Sequence, residues 1–268
     1  VMHLTIVLIG ASVMVTPFAY MFSTSFKAQA YVLTVPPQLI PRPATLDNYR
    51  RALTTQDFGR YALNSLGVAT ASTALSVLLS AMMAYGFARY RFLAHRLLYR
   101  LLLVGLIVPA MMLIIPQFVL AKHLHLLDTY QGLIVFYVGS TLALNTYLLR
   151  GFFESQPIEL DEAMRIDGAS AWTRFVRLAL PLARPALATT TIFTFLFAWD
   201  EFAWSLTIIT DRTKTTLPVA IQFFHGQNAT QWGLVFAASV IAVVPVIVVF
   251  VIFQRHFVQG LTSGAVKG

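Results

Sequence analysis

Six stretches of the chain contain no Asp, Glu, Lys or Arg: 1–26, 61–88, 101–121, 129–149, 185–199 and 215–254. The hydrocarbon core of a bilayer takes about 20 apolar residues as helix, because each residue rises about 1.5 Å. Five of the stretches reach that length. The shorter one, 185–199, is cut off by Asp200 and Glu201, so a span there must tolerate two carboxylates. The last is twice the needed length, but Pro218, His225, Gln227 and Asn228 make its first half a poor span. The segment "GLVFAASVIAVVPVIVVFVIF", 233–253, is the helix within it. The pattern predicts an all-α membrane protein with six transmembrane helices, at roughly 4–25, 62–88, 101–121, 131–149, 184–208 and 233–254. The polar loop 27–60 contains "VPPQLIPRPATLDNY", whose four prolines preclude a long helix and favour extended chain.

Charge then orients the spans. With six of them, both termini and the loops 89–100 and 150–183 share one side. That side holds eleven of the 19 basic residues, four of them in 89–100: Arg89, Arg91, Arg96 and Arg100. Basic residues concentrate on the cytoplasmic side, so both termini are expected there. The net charge of +8 is therefore topogenic. No basic stripe with interleaved aromatics marks a nucleic-acid surface, and no nucleic acid is expected as a partner. The first apolar run exceeds a signal-peptide core and lacks a small-residue cleavage site, so it is expected to remain as the first span. The chain opens on Val1, and a few residues are expected before it.

The sequence carries no sign of bond chemistry. With no cysteine, disulfides, thiolate metal sites and a cysteine nucleophile are excluded. No Gly-Lys pair exists to build a phosphate loop, so any ATP must bind another polypeptide. His123 and His125 form an H-x-H, but two ligands without a third read as a solvated loop.

One internal segment departs from the rest. Only 11% of the residues are charged, yet five of the 11 acidic ones, Glu154, Glu159, Asp161, Glu162 and Asp167, fall within 154–167. Arg165, Arg174, Arg177 and Arg184 accompany and follow them. Pro157 suits a helix start, and the helix dipole favours Glu159, Asp161 and Glu162 in the first turns. Gly168 can take the left-handed conformation that ends a helix, Ser170 can cap the next, and Pro181 marks its end. The physics leaves two readings open: an interfacial amphipathic loop, or a docking knob for a soluble partner.

The segment "EAMRIDGASAWTRFVRLALP" resembles the EAA loop of ABC-importer permeases. Glu162, Ala163, Gly168, Leu180 and Pro181 match its pattern at the right spacing, while Met164 and Leu178 replace an Ala and an Ile. Asp167 lies inside the motif. "LNSLGVATASTALSVLLSAMMAYGFARYRF" and "IVPAMMLIIPQFVLAKHLHLLDTYQGLI" are similar to the core of the carbohydrate branch. "GLTSGAVKG" resembles the tail of the smaller permease subunit of maltose-type importers. The resemblance implies a type I ABC importer transmembrane domain in the bacterial inner membrane, for a sugar or sugar-like solute. It implies a coupling loop at 154–182 within a permease core of 60–255, preceded by a first helix and outer loop, 1–59, and followed by a cytoplasmic tail, 256–268. It implies four kinds of protein partner or setting: a second homologous permease, two ATP-binding subunits, an extracytoplasmic solute-binding protein and membrane lipid. ATP and Mg belong to the partner ATPase, with no cofactor in this chain. Gly260, Leu261, Thr262, Gly264, Val266, Lys267 and Gly268 of the tail are implied to reach the ATPase interface. The loop 210–231, with Gly226, Gln227 and Asn228, matches in position the family's loop that probes the binding protein.

Two further features carry competing readings. Trp199, Asp200, Glu201 and Trp204 could line a substrate path, or the aromatics could pack helices while the carboxylates face a wet cavity. The family commonly has Asn where Asp200 stands. Ser65, Ala69, Ser72, Ser76 and Ser80 recur at helical spacing, either as a polar pore wall or as small residues that let helices approach closely. Outside the family, a stand-alone secondary transporter or channel remains an alternative, but it would place ion-coupling carboxylates in several spans, and only the fifth has any. A membrane-embedded enzyme would need a convergent nucleophile, base or metal set, which the sequence lacks.

Overall fold

The computed structural model describes residues 2–55, 57–224 and 230–265. Thirteen α-helices run along these residues: α1 Met2–Ser25, α2 Asp47–Thr55, α3 Phe58–Arg89, α4 His95–Val104, α5 Ile114–His123, α6 Tyr130–Ser155, α7 Ile158–Ile166, α8 Ala171–Arg174, α9 Leu180–Leu182, α10 Arg184–Asp200, α11 Ala203–Ile208, α12 Leu217–Ile221 and α13 Trp232–Ala265. Among the described residues the only strand-like pairing is one antiparallel bridge, Lys27 to Ala44, in the proline-rich loop.

Among the described residues, four helices are long and apolar enough to cross a membrane: α1, α3, α6 and the Trp232–Ile252 part of α13. Ala171–Leu182 and Arg184–Asp200 reach that length and hydropathy only as a pair, and they meet at 79°. The expected single helix over 101–121 is instead broken. After Val104 the backbone tightens, with the N–H groups of Gly105, Leu106 and Ile107 each bonding three residues back. Pro109 then has no N–H to donate and turns Val108 away from helical geometry. A 3-10 turn, Ala110–Leu113, leads into α5. Hydropathy reported the apolar content of this stretch correctly, but Gly105 and Pro109 decide its continuity.

The expected helix over 184–208 also divides, at Glu201 and Phe202. The Glu201 carboxylate accepts the free N–H groups of Trp204 at 2.8 Å and Ser205 at 3.2 Å, which starts α11 as a new helix. Pro181 does not end its helix. A π-helical turn, Phe175–Ala179, carries the chain through it into α9, and the bend falls at Ala183. There Pro185 can neither donate to the carbonyl of Pro181 nor sit beside it without a clash.

The chain forms two compact units, one of residues 1–64 and 215–247, the other of 65–214 and 248–268. In the first, buried Asn48 donates to the carbonyls of Ser25 (2.9 Å) and Lys27 (2.7 Å), tying α2 to the end of α1. Gln29 receives the N–H of Gly233 at 3.0 Å, and a side chain at Gly233 would collide with Asn48, so the start of α13 fits only as glycine. None of the most apolar window of α1 is buried within the chain, whereas half of that in α6 is. An apolar helix bare on all sides belongs in lipid or against a partner's helix.

In the second unit α6 is central. Buried Asn145 on α6 donates to Ser76 on α3 (3.2 Å) and Thr194 on α10 (2.8 Å), and Ser76 also meets Thr141 at 2.7 Å. This polar seam joins three helices. Each such bond contributes about 0.6–1.7 kcal/mol in a bilayer. Ser65, Ala69, Ser72, Ser76 and Ser80 are all buried, which decides their stripe for close packing over a pore wall.

The loops around residues 128 and 210–214 are joined by Asp128, whose Oδ1 accepts the N–H groups of Thr210 and Asp211, both at 3.0 Å, while Lys214 Nζ reaches the Asp128 carbonyl at 2.8 Å. The N–H of Asp211, then that of Thr210 and the Lys214 ammonium, hold this carboxyl below its ordinary value of 3.8. A depressed carboxylate stabilises the fold above its unfolded pKa, and the contribution is lost as pH falls through its folded pKa. Asp128→Asn is therefore expected to lower thermal stability at neutral pH and to reduce the further loss on acidification to about pH 3. Thermal melts across that range check it, and an unchanged acid slope would count against this role for Asp128.

Candidate functional site

The charged segment folds as a two-helix knob. α7 begins after Pro157, which stands one position ahead of the first turn, with Glu159 and Asp161 inside that turn. Its end is a Schellman motif: Gly168 N–H bonds Arg165 O at 3.1 Å, Ala169 N–H bonds Met164 O at 2.9 Å, and Gly168 sits at φ +78°. Ser170 then accepts the N–H of Thr173 at 3.1 Å and opens α8. The local logic expected of Gly168 and Ser170 is realised at both residues.

The knob has two faces with opposite characters. On the inner face, Arg174 and Asp161 form a 2.8 Å ion pair with side chains only 10% and 14% exposed. The other Asp161 oxygen accepts the Tyr85 hydroxyl at 2.9 Å, and Arg174 donates to the Tyr90 hydroxyl at 3.0 Å. The ion pair thus joins α7 to α8, and the two tyrosines join both to the end of α3. Tyr85 packs on Phe153 and Phe175 with ring centroids 5.8 and 5.2 Å apart, within a core completed by Ala81, Ala84, Leu149, Ala179 and Ala183. Leu180 packs against this cluster, and Leu178 and Met164 are half-buried.

The outer face is bare. Glu162, Ala163, Asp167, Gly168 and Pro181 are exposed. Glu159, Glu162, Arg165, Asp167 and Arg177 have no ion-pair partner among the described residues. Between these charges stand Ile166, 86% exposed, and Trp172, 59% exposed. Large apolar side chains rimmed by unpaired charge are the composition of an interaction surface. The eight motif residues therefore divide between holding the knob and presenting it. The sequence reading missed Tyr85 and Tyr90 as partners of Asp161 and Arg174; nothing local to α3 marks them.

The second set of expected residues is mostly structural. Trp199 and Trp204 are buried rather than open to a path, Trp199 stacked on Phe195 and Trp204 on Phe136 with its Nε1 donating to Gly132 O at 3.2 Å. Burying both rings removes large apolar areas from contact with water or solute. Besides starting α11, Glu201 accepts the Tyr137 hydroxyl at 2.9 Å. Asp200 alone of the four is exposed. An open, mostly apolar groove of about 420 Å³ between α3 and α10 carries Thr70, Thr73 and Thr191 among Val77, Leu78, Leu187 and Phe195, and the Thr73 hydroxyl has no partner. In the tail, Gly260, Leu261, Thr262 and Gly264 continue the backbone of α13, with their side chains outside the described residues. Val266, Lys267 and Gly268 lie outside the described residues, as do Gly226, Gln227 and Asn228.

Known proteins resemble this chain in sequence and in fold. A family model for the binding-protein-dependent transport system inner membrane component matches residues 76–263. The chain is 37% identical over 254 residues to the trehalose transport system permease protein SugB of Mycobacterium tuberculosis, covering 94% of this chain and 92% of that one. It is 34% identical over 264 residues to the diacetylchitobiose uptake system permease protein NgcG of Streptomyces coelicolor, covering 98% and 87%. A solved bacterial ABC transporter involved in import of the acidic polysaccharide alginate contains a chain of the same fold, with TM-score 0.85, 24% identity, and coverage of 96% of this chain and 95% of that one.

The inner face sets the expected outcome of a thermal-melt cycle. Removing one partner of a buried pair leaves the other charge uncompensated, so Asp161→Ala is expected to cost on the order of 3 kcal/mol, or about 6–12 °C in Tm. The double change Asp161→Leu with Arg174→Met should cost less than the sum of the two singles. Strict additivity would mean that the pair does not hold the knob.

Proposed function

The chain belongs to the family of binding-protein-dependent transport system inner membrane components, and on that footing we propose that it is the permease subunit of an ATP-driven importer for a sugar or sugar-like solute. The observation that carries the reading is the knob of residues 158–182, fixed to α3 on its inner face and bare on its outer face. The named relatives are permease proteins of trehalose transport and diacetylchitobiose uptake systems, which is the support for a carbohydrate.

In this reading a solute-binding protein delivers the solute outside, and a second, homologous permease completes the pathway. Two ATPase subunits, which carry ATP and Mg, lie beneath. Both termini, the loop 89–100 and the knob face the cytoplasm, as the arginine density of that loop supports. Ile166 and Trp172 anchor in the ATPase, and Glu162, Asp167 and Arg165 set the register. When the ATPases close on ATP, the push enters α7. The Asp161–Arg174 pair and its tyrosine bonds pass it to α3 as a rigid body, and the bend at Ala183 passes it to α10. ATP thereby biases a two-state element, an inward-facing against an outward-facing pathway, through contacts that differ between the states. This subunit breaks no bond. Asp200, exposed beside Glu201, is the place where it meets the pathway. The tail from Gly260 to Gly268 reaches the ATPase interface, and the loop 210–231 meets the binding protein.

A stand-alone transporter fits less well. Of the carboxylates in the spans, Glu201 is already held by Tyr137 and the start of α11, which leaves Asp200 without a partner carboxylate for ion coupling.

Two substitutions test the reading. Proline cannot adopt φ +78°, so Gly168→Pro removes the turn, and Glu162→Lys reverses an unpaired outer charge. In proteoliposomes each is expected to lower uptake by about tenfold or more, since a loss of about 1.4 kcal/mol in the coupling contact is already a factor of ten. The ATPase should dissociate or hydrolyse ATP without transport. Wild-type assembly and uptake in both variants would overturn it.

A further inference from the structure

The loop between α3 and α4 carries a cationic concavity that the transport reading does not use. It measures about 460 Å³ and is lined by Arg91, Phe92, Ala94, His95, Arg96 and Leu97. Two kinds of donor converge on it. Arg91 and Arg96 are exposed and have no ion-pair or hydrogen-bond partner among the described residues. No acidic residue occurs anywhere from 58 to 127 to neutralise them. The ten-residue helix α4 begins at the same place, with Ala94 as its N-cap in the left-handed region and no side chain capping it. The His95 N–H bonds Phe92 O at 3.1 Å, and the N–H groups of Arg96 and Leu97 together with the helix dipole favour an anion there.

His95 completes the lining and is 9% exposed. Its ring is wedged between Phe87 and Phe92, at centroid distances of 5.5 and 5.1 Å. Nε2 meets the Phe87 carbonyl at 2.9 Å and must be the donor in that bond, because a carbonyl only accepts. Nδ1 has no partner. With Nε2 donating, Nδ1 keeps its lone pair, so the attraction for an anion comes from the two unpaired guanidinium groups.

We infer that this concavity binds the phosphate of an acidic phospholipid headgroup. Arg91 lies two residues beyond the end of the α3 span, which is headgroup depth. The side chains around it are those of a lipid surface: Leu93 is 95% exposed, and Leu97, Leu98 and Leu101 are exposed along α4. Acyl chains lie along these leucines while the phosphate sits between Arg91, Arg96 and the first turn of α4. The one carboxylate that reaches this region from α6, Glu154, is held by Arg150 at 2.7 Å and does not compete. The bound lipid would fix the cytoplasmic end of α3, the helix whose Tyr85 and following Tyr90 grip the coupling knob.

The test is native mass spectrometry of the purified full chain with equimolar phosphatidylglycerol and phosphatidylcholine. Wild type should retain phosphatidylglycerol in preference. Each basic residue near such a headgroup is worth about fivefold in affinity, so Arg91→Gln with Arg96→Gln should weaken phosphatidylglycerol binding about 25-fold. Arg91→Lys with Arg96→Lys should keep most of it. Three results would overturn the inference: an unchanged lipid preference in the glutamine variant, inorganic phosphate alone binding as tightly as the lipid, or loss of a co-purifying ATP-binding subunit with lipid retention intact.

Discussion

An ion pair placed at the edge of a membrane protein is unusual in what it costs and what it fixes. Asp161 and Arg174 are withdrawn from water almost completely, and each alone would be strongly destabilising there. The pair is supported by its neighbours: one carboxylate oxygen accepts from Tyr85, one guanidinium nitrogen donates to Tyr90, and Phe153 and Phe175 fill the surrounding volume. The consequence is geometric. Two helices too short to be stable in isolation, α7 and α8, become one body with the end of α3. The Schellman turn at Gly168, the π-helical turn before Leu180 and the bend at Ala183 all keep the chain within reach of that pair.

Rigidity on one side lets the other side be left unfinished. Unpaired charges around exposed Ile166 and Trp172 contribute nothing to the stability of this chain, and they become favourable only against a complementary surface. The membrane-embedded part is arranged by the same division. Its interior is closed by small residues on α3 and by the seam of Ser76, Thr141, Asn145 and Thr194, while α1 is left apolar all round for lipid or a neighbouring helix. A subunit built in this way is stable as a scaffold and incomplete as a machine.

Much of this was legible in the residues. Charge-free runs located the spans, because burial of an uncompensated charge in lipid is costly and the sequence avoids it. Gly168 and Ser170 announced their turn and cap through local backbone chemistry. Three features were not legible, each for a physical reason. The break at Gly105–Pro109 leaves hydropathy unchanged while ending the hydrogen-bond ladder. The bend at Ala183 depends on Pro185 acting on Pro181, so the proline that looked terminal is passed through. The partners of Asp161 and Arg174 lie 76 and 84 residues away, on α3 and just beyond its end, and pairings at that separation have no local signature. Trp199 and Trp204 show the converse limit: aromatic residues near a carboxylate suit a solute path as well as a core, and only packing distinguishes the two.

The central claim is that the outer face of the knob meets the ATPase. The chain has no cysteine, so Ile166→Cys introduces a single thiol on that face. In the assembled transporter, a short thiol-to-amine cross-linker applied to this variant should join residue 166 to an ATP-binding subunit, with a yield that changes when ATP is added. Leu93→Cys, at the proposed lipid surface, should give no such product. An intact complex in which position 166 forms no cross-link to the ATP-binding subunit would contradict the account.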